Sequence, residues 1–248
     1  MHLPLTFRLV APLLLVALAA CQSETSTAPS ASSATGSTSA ESASANAPAG
    51  RASPDGEPIE HPLVPLPGKE AQAPTLTRST TVVFETTAGN VTMEIYPEAA
   101  PNAAQRFVQL VESGFYDETP ISRVVRGFVA QFGINWRQPH VGWQNRTFND
   151  DPSLFALERG TLAFAKAGPN TNSTQVFINY VDNSHLADPM FNFTVFGAVV
   201  DGMDVVDSFV QVGDPSNGLD QQRLWTDGDA YLESLDVKQT MIQRAYVQ

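Results

Sequence analysis

From Thr81 onward the chain is cut into short apolar runs that alternate every second residue, and this pattern restricts the fold more than any other feature. Thr81-Val82-Val83-Phe84-Glu85-Thr86 and Val91-Thr92-Met93-Glu94-Ile95-Tyr96 are rich in β-branched residues, and Ala88-Gly89-Asn90 lies between them. Side chains two apart share one face of a strand, so a hairpin here turns Val91, Met93 and Ile95 toward a core. Further strands are expected over Thr161–Ala165, Thr174–Tyr180 and Phe193–Val200, with a closing strand over Met241–Val247. Helical spacing intervenes. Pro101 suits a first helical turn; Ala103, Phe107, Leu110 and Val111 then recur on one face, and Gly114 stops the run. Met203–Val210 is a second helix candidate with Asp204 in its first turn, and Asp229–Gln239 a short third. Many short strands, two or three helices and no strand–helix–strand alternation argue for a mainly β, closed antiparallel barrel. The chain contains no internal repeat.

The stretch Ile121-Ser122-Arg123-Val124-Val125-Arg126-Gly127-Phe128-Val129-Ala130-Gln131-Phe132-Gly133 stands apart. Two β-rich halves meet at Arg126-Gly127, where a glycine lets the chain bend or bulge. Strand alternation would turn Phe128, Ala130 and Phe132 one way and Val129 and Gln131 the other. One arginine, Arg123, and one amide, Gln131, then sit beside an aromatic-lined apolar surface. Each has a second reading. Arg123 on its own is a solvated surface arginine, Gln131 an amide that satisfies barrel backbone, and Phe128 and Phe177 ordinary core.

The same stretch resembles the active-site segment of the cyclophilins, the peptidyl-prolyl cis/trans isomerases, whose pattern reads roughly Phe-His-Arg-x-x-x-Gly-Phe-x-x-Gln-Gly-Gly. Ile121, Ser122 and Phe132 depart from it. Four more segments resemble the family in the same order. They are Gly89–Ile95, Ala100–Asp117, the run Ala165-Lys166-Ala167-Gly168-Pro169-Asn170-Thr171-Asn172-Ser173-Thr174-Gln175-Val176-Phe177-Ile178, and Val195–Val206. Residues 134–159 match less and read as a variable loop. The resemblance implies an eight-stranded antiparallel β-barrel capped by two helices over residues 79–248. It implies a catalytic role for Arg123 and substrate contacts at Phe128, Val129, Gln131, Ala165, Lys166, Ala167, Gln175, Phe177, His185, Leu186 and Phe193. His185 falls where cyclophilins carry Trp or Phe; Phe193 falls at a pocket position and reads equally well as core. The expected activity is rotation about X-Pro bonds, and the expected partners are proline-containing peptides and unfolded proteins, met as a monomer. The alternative is a catalytically weak peptide-binding module that kept the groove.

The chemistry fits these residues. X-Pro rotation breaks amide resonance and no covalent bond, so neither nucleophile, metal nor cofactor is required. No G-x-S-x-G, G-x-G-x-x-G, Walker or H-E-x-x-H motif is present. Beyond the first twenty residues the histidines are His61, His140 and His185, and none neighbours a cysteine. A net charge of −12 without a basic run argues against nucleic acid.

The amino-terminal region reads differently. Arg8 precedes an apolar run, Leu9 to Ala20, too short to span a bilayer comfortably and suited to a signal peptide over residues 1–20. Leu18-Ala19-Ala20-Cys21 resembles a bacterial lipobox, which implies lipid on Cys21, the chain's one cysteine, and a cell-envelope location facing the periplasm. Gln22 in place of Asp favours the outer membrane. Residues 21–78 are Ser/Thr/Ala/Pro-rich and are expected to form a disordered tether. Within it Pro58–Pro67 carries Ile59, Leu63, Val64 and Leu66 among four prolines; these side chains would allow it to dock on the domain, but an extended linker is the favoured expectation.

Overall fold

The computed structural model of the protein describes residues 51–53 and 56–248. The expected signal peptide, Cys21 and the expected tether up to residue 50 lie outside the described residues. Along the chain the elements are β1 (Arg51–Ala52), β2 (Arg78–Thr86), β3 (Gly89–Ile95), α1 (Pro101–Glu112), β4 (Thr119–Val125), β5 (Val129–Phe132), β6 (Thr161–Phe164), β7 (Val176–Asn179), β8 (Val195–Asp201), α2 (Met203–Ser208), α3 (Gln221–Thr226), α4 (Asp229–Glu233) and β9 (Met241–Val247). Single 3-10 turns cover His140–Asn145 and Ser184–Ala187.

Strands β2 to β9 close into an eight-stranded antiparallel barrel in the order β2-β3-β8-β6-β7-β5-β4-β9, with β9 returning to β2. β1 adds two residues outside this ring, pairing Arg51 with Ser79 and Ala52 with Arg78. The first hairpin forms as the alternation requires: Val91, Met93 and Ile95 are buried. The interior is aromatic. Phe84, Phe107, Tyr116, Phe132, Phe164 and Phe196 belong to one cluster, joined by ring contacts such as Phe84–Phe132 at 5.3 Å and Phe107–Phe196 at 5.2 Å. The apolar face of α1 enters this cluster through Ala103, Phe107, Leu110 and Val111. Its N-cap residue, Ala100, offers no side-chain acceptor. Asp151 takes that place from a distant loop, its carboxylate accepting from the Asn102 and Ala103 amides at 3.2 and 2.9 Å. Burial pushes the Asp151 carboxyl up, and these two backbone bonds draw it back toward the anion.

Three expectations are corrected. First, residues 56–77, expected as the end of a disordered tether with a linker over Pro58–Pro67, pack against the domain. The Ile59 amide donates to the Leu76 carbonyl at 2.9 Å, Leu66 to Leu154 at 2.9 Å and Ala156 to Val64 at 2.8 Å, so the segment leaves the barrel, pairs with 154–156 and returns. Leu63 and Leu76 are buried in a cluster on the outside of the barrel, with Ile59 packed against it. Proline-rich composition concealed an apolar strap, because three well-placed side chains suffice once a backbone edge is available to pair with. Leu63→Ala is expected to lower stability by about 2–3 kcal/mol in chemical denaturation; an unchanged midpoint would mean that the strap is solvated after all.

Second, Phe128 does not share a face with Ala130 and Phe132. Strand β5 begins only at Val129, and Phe128 closes the preceding turn, its amide donating to the Val125 carbonyl at 3.0 Å with Gly127 at φ 73°. Ala130 and Phe132 fill the barrel, whereas Phe128 packs on the outer cluster. Third, residues 221–233 form two short helices, α3 and α4, where one was expected from Asp229. The overlooked signal is Asp220, whose carboxylate caps α3 by accepting from the Arg223 amide at 3.0 Å.

Candidate active site

Register builds the site. Directly opposed residues in antiparallel strands share a face. Arg123 on β4 opposes Gln131 on β5, Gln131 opposes Phe177 on β7, Phe177 opposes Ala163 on β6, and Ala163 opposes Val195 on β8. These five positions form one row across the outside of the barrel. The adjacent row, Val124, Ala130, Ile178 and Leu162, fills the interior. A register shift between Ile121 and Arg123 marks a bulge one step before the arginine, a feature that re-aims side chains beside functional sites.

Arg123 is half-buried, and burial lowers its guanidinium from the ordinary arginine value. Its Nε donates to the Ser216 carbonyl at 2.7 Å and its Nη1 to Gln131 Oε1 at 3.3 Å. A guanidinium has five N–H donors, so these bonds leave three without a protein partner among the described residues. The Phe128 ring centroid lies 5.5 Å from the guanidinium carbon. Gln131, only 8% exposed, hands the chain of amides on: its Nε2 donates to Gln175 Oε1 at 2.8 Å, and Gln175 Nε2 donates to Gln221 Oε1 at 3.2 Å. The second arginine of the stretch does something else. Arg126 donates to the carbonyls of Asp207 and Phe209 and so clamps the end of α2.

Beside this polar row lies an apolar patch. Val129, Phe177 and Leu186 are buried in one cluster, and half-buried Phe128, Ala165 and Phe193 pack against it. The rings of Phe177 and Phe193 meet edge-on at 5.5 Å. The pocket and core readings of Phe193 therefore merge: it is packed and it borders the patch. His185 is exposed on the 3-10 turn that carries Leu186.

The segment 165–167 has partners that the sequence did not indicate. The Lys166 side chain is 4% exposed and its Nζ donates to Asp150 Oδ2 at 2.7 Å and to the Asn192 carbonyl at 2.9 Å. Its charge is committed to a buried pair, so only its backbone can meet a bound chain. The Ala165 amide is taken by the Gln175 carbonyl at 2.9 Å and the Ala167 amide by Thr171 Oγ1 at 3.0 Å. Three site-supporting residues escaped the sequence reading: Asp150, in the variable loop 134–159; Gln221, on the unexpected helix; and Ser216, whose backbone carbonyl no side-chain pattern could signal.

A family model, Cyclophilin type peptidyl-prolyl cis-trans isomerase/CLD, matches residues 81–224. The chain belongs to the cyclophilin family. It is 34% identical over 149 residues to a peptidyl-prolyl cis-trans isomerase of Acinetobacter baylyi, covering 58% of this chain and 78% of that protein. It is 38% identical over 146 residues to peptidyl-prolyl cis-trans isomerase CYP71 of Arabidopsis thaliana. That match covers 55% of this chain but only 22% of the relative, so the chain spans about a fifth of that relative's length. Among solved structures, a Cryptosporidium parvum cyclophilin crystallised in the presence of the dipeptide Ala-Pro has the same fold, with a TM-score of 0.51 and 23% identity over 68% of this chain and 98% of that one. No group of three or more potential metal ligands occurs among the described residues.

Proposed function

We propose that this cyclophilin accelerates cis/trans rotation of X-Pro bonds in extracytoplasmic client proteins while held to a bacterial membrane through lipid on Cys21. The observation that carries the catalytic half is the row in which Arg123 lies opposite Gln131, next to the apolar patch of Phe128, Val129, Phe177, Leu186 and Phe193. Rotation is slow because amide resonance imposes a barrier of about 18–20 kcal/mol. As the bond twists, the prolyl nitrogen regains a lone pair that accepts a hydrogen bond. Arg123 is the donor for that lone pair, and the apolar patch receives the proline ring. A donor that binds the twisted amide better than the planar one lowers the barrier. Gln131 holds the guanidinium in place, and Gln175, with the backbone of Ala165, Lys166 and Ala167, borders the chain that carries the proline. The Ala-Pro crystal of the Cryptosporidium protein supports a proline-containing peptide as the ligand class.

The deciding experiment is a protease-coupled isomerisation assay on a proline peptide. Acceleration proportional to protein concentration is expected. Peptide binding without acceleration would leave a client-holding module instead.

The membrane half rests on the lipobox-like Leu18-Ala19-Ala20-Cys21. Gln22, where a retaining Asp would stand, favours the outer membrane over the inner. A lipidated cysteine with more than one chain exceeds the threshold for stable anchoring. Cells expressing the wild type are expected to retain the protein in the membrane fraction, and Cys21→Ser to release it to the soluble periplasm. Equal solubility of the two proteins would sink the lipid anchor.

A further inference from the structure

We infer that Asp214 is a positioning residue for Arg123: it builds the turn that aims the Ser216 carbonyl at the arginine Nε. Arginine side chains flex, and a donor that acts on a twisted amide must be held still. Two acceptors hold this one. Gln131 grips Nη1 from the neighbouring strand. The other grip is a backbone carbonyl far along the chain, Ser216, on Nε at 2.7 Å.

The loop carrying Ser216 is built for that purpose in three places. At its base, the Leu219 amide donates to the Ser122 carbonyl at 2.8 Å, and the Leu219 side chain is buried in the cluster with Ile134 and Leu224. That bond ties the loop to the residue next to Arg123. Across its neck, Asp214 and Gly218 exchange both amide-to-carbonyl bonds at 2.8 Å. Within the turn, Asp214 Oδ1 accepts from the Ser216 amide at 2.9 Å and from the Asn217 amide at 2.8 Å. The peptide planes flanking Ser216 are thereby fixed, and with them its carbonyl direction. Gly218, at φ 74°, sits so close beneath that a Cβ would lie 2.4 Å from the Ser122 oxygen and 2.6 Å from Arg123 Cα. The loop is therefore pressed directly onto the arginine's own backbone.

The Asp214 carboxyl is held below the usual carboxylate range by those two amides, as expected of a group that accepts from backbone donors. It lies on the surface and makes its bonds within its own turn, so its influence on the site passes through Ser216. Changing Ser216 itself leaves a carbonyl in place, which makes Asp214 the informative position.

The kinetic consequence rests on the isomerase reading above. Asp214→Ala frees the turn, and a small loss of alignment in a catalytic group costs about tenfold or more in rate. The expected result is kcat lowered about tenfold with KM within about twofold, because the proline patch is untouched. Asp214→Asn keeps an oxygen acceptor for both amides and is expected to restore most of kcat. A second arm does not depend on activity. The Nε–H proton resonance of Arg123, assigned by its loss in Arg123→Lys, is expected to be sharp and downfield in the wild type and broadened in Asp214→Ala. An active wild type whose kcat survives Asp214→Ala would overturn the inference. So would an Asp214→Asn protein as impaired as Asp214→Ala, since the effect would then be one of charge. A wild type without isomerase activity overturns the functional reading alone, and the resonance then decides whether Asp214 positions Arg123.

Discussion

Arg123→Ala is expected to lower kcat by about 10²–10³-fold, the usual loss when one preorganised donor is removed from a developing charge or lone pair, with the melting temperature nearly unchanged. The side chain lies on the outside of the barrel, opposite Gln131, and its deletion opens no cavity in the aromatic interior. Its lost partners are tolerant: the Ser216 carbonyl belongs to an exposed residue, and Gln131 keeps its bond to Gln175. Circular dichroism melts alongside isomerase rates separate the two effects. A folded Arg123→Ala protein with near-wild-type turnover would remove Arg123 from catalysis and leave the apolar patch as a binding surface only.

Lys166→Met is expected to cost about 3–5 kcal/mol, because it leaves the Asp150 carboxylate buried without its cation. The two side chains are 4% and 13% exposed. Asp150 Oδ1 also accepts from Asn172 Nδ2 at 2.6 Å, and the Asp150 amide donates to Asn170 Oδ1 at 2.8 Å, so the pair joins three loops. Lys166 reaches the third through the Asn192 carbonyl, immediately before Phe193, whose ring centroid is 5.6 Å from the ammonium. Loss of the lysine should therefore raise KM as well as lower stability, by loosening one wall of the patch. Adding Asp150→Asn to Lys166→Met should recover a large part of the stability, since a neutral amide tolerates the site better than an unpaired carboxylate. Denaturant midpoints of the two variants measure it. A double variant no better than the single one would show that packing of the lysine stem, rather than the charge pair, holds these loops.

Much of the architecture was legible locally. Strand alternation marked Val91, Met93 and Ile95 as core, and three- and four-residue spacing marked Phe107, Leu110 and Val111. These signals are readable because each is generated within a few residues, by the geometry of a strand or a helix. Where a local break intervened, the reading slipped: Gly127 moved Phe128 into a turn and so from the barrel interior to the outer patch.

By itself, then, the sequence determined the period of each element, the barrel class those periods imply, and the identity of the residues on the row from Arg123 through Gln131 to Phe177. Tertiary structure alone decided what those residues touch. Nothing near Lys166 in the sequence announces its partner; folding brings Asp150 to 2.7 Å from its Nζ. The strap of residues 56–77 looked like linker until the edge at 154–156 offered it backbone partners. Ser216 entered the site through a carbonyl 93 positions from Arg123. Side-chain chemistry is written locally, whereas a partner supplied by a distant loop, especially a backbone atom that every residue possesses, is assigned only when the barrel closes and brings the two segments together.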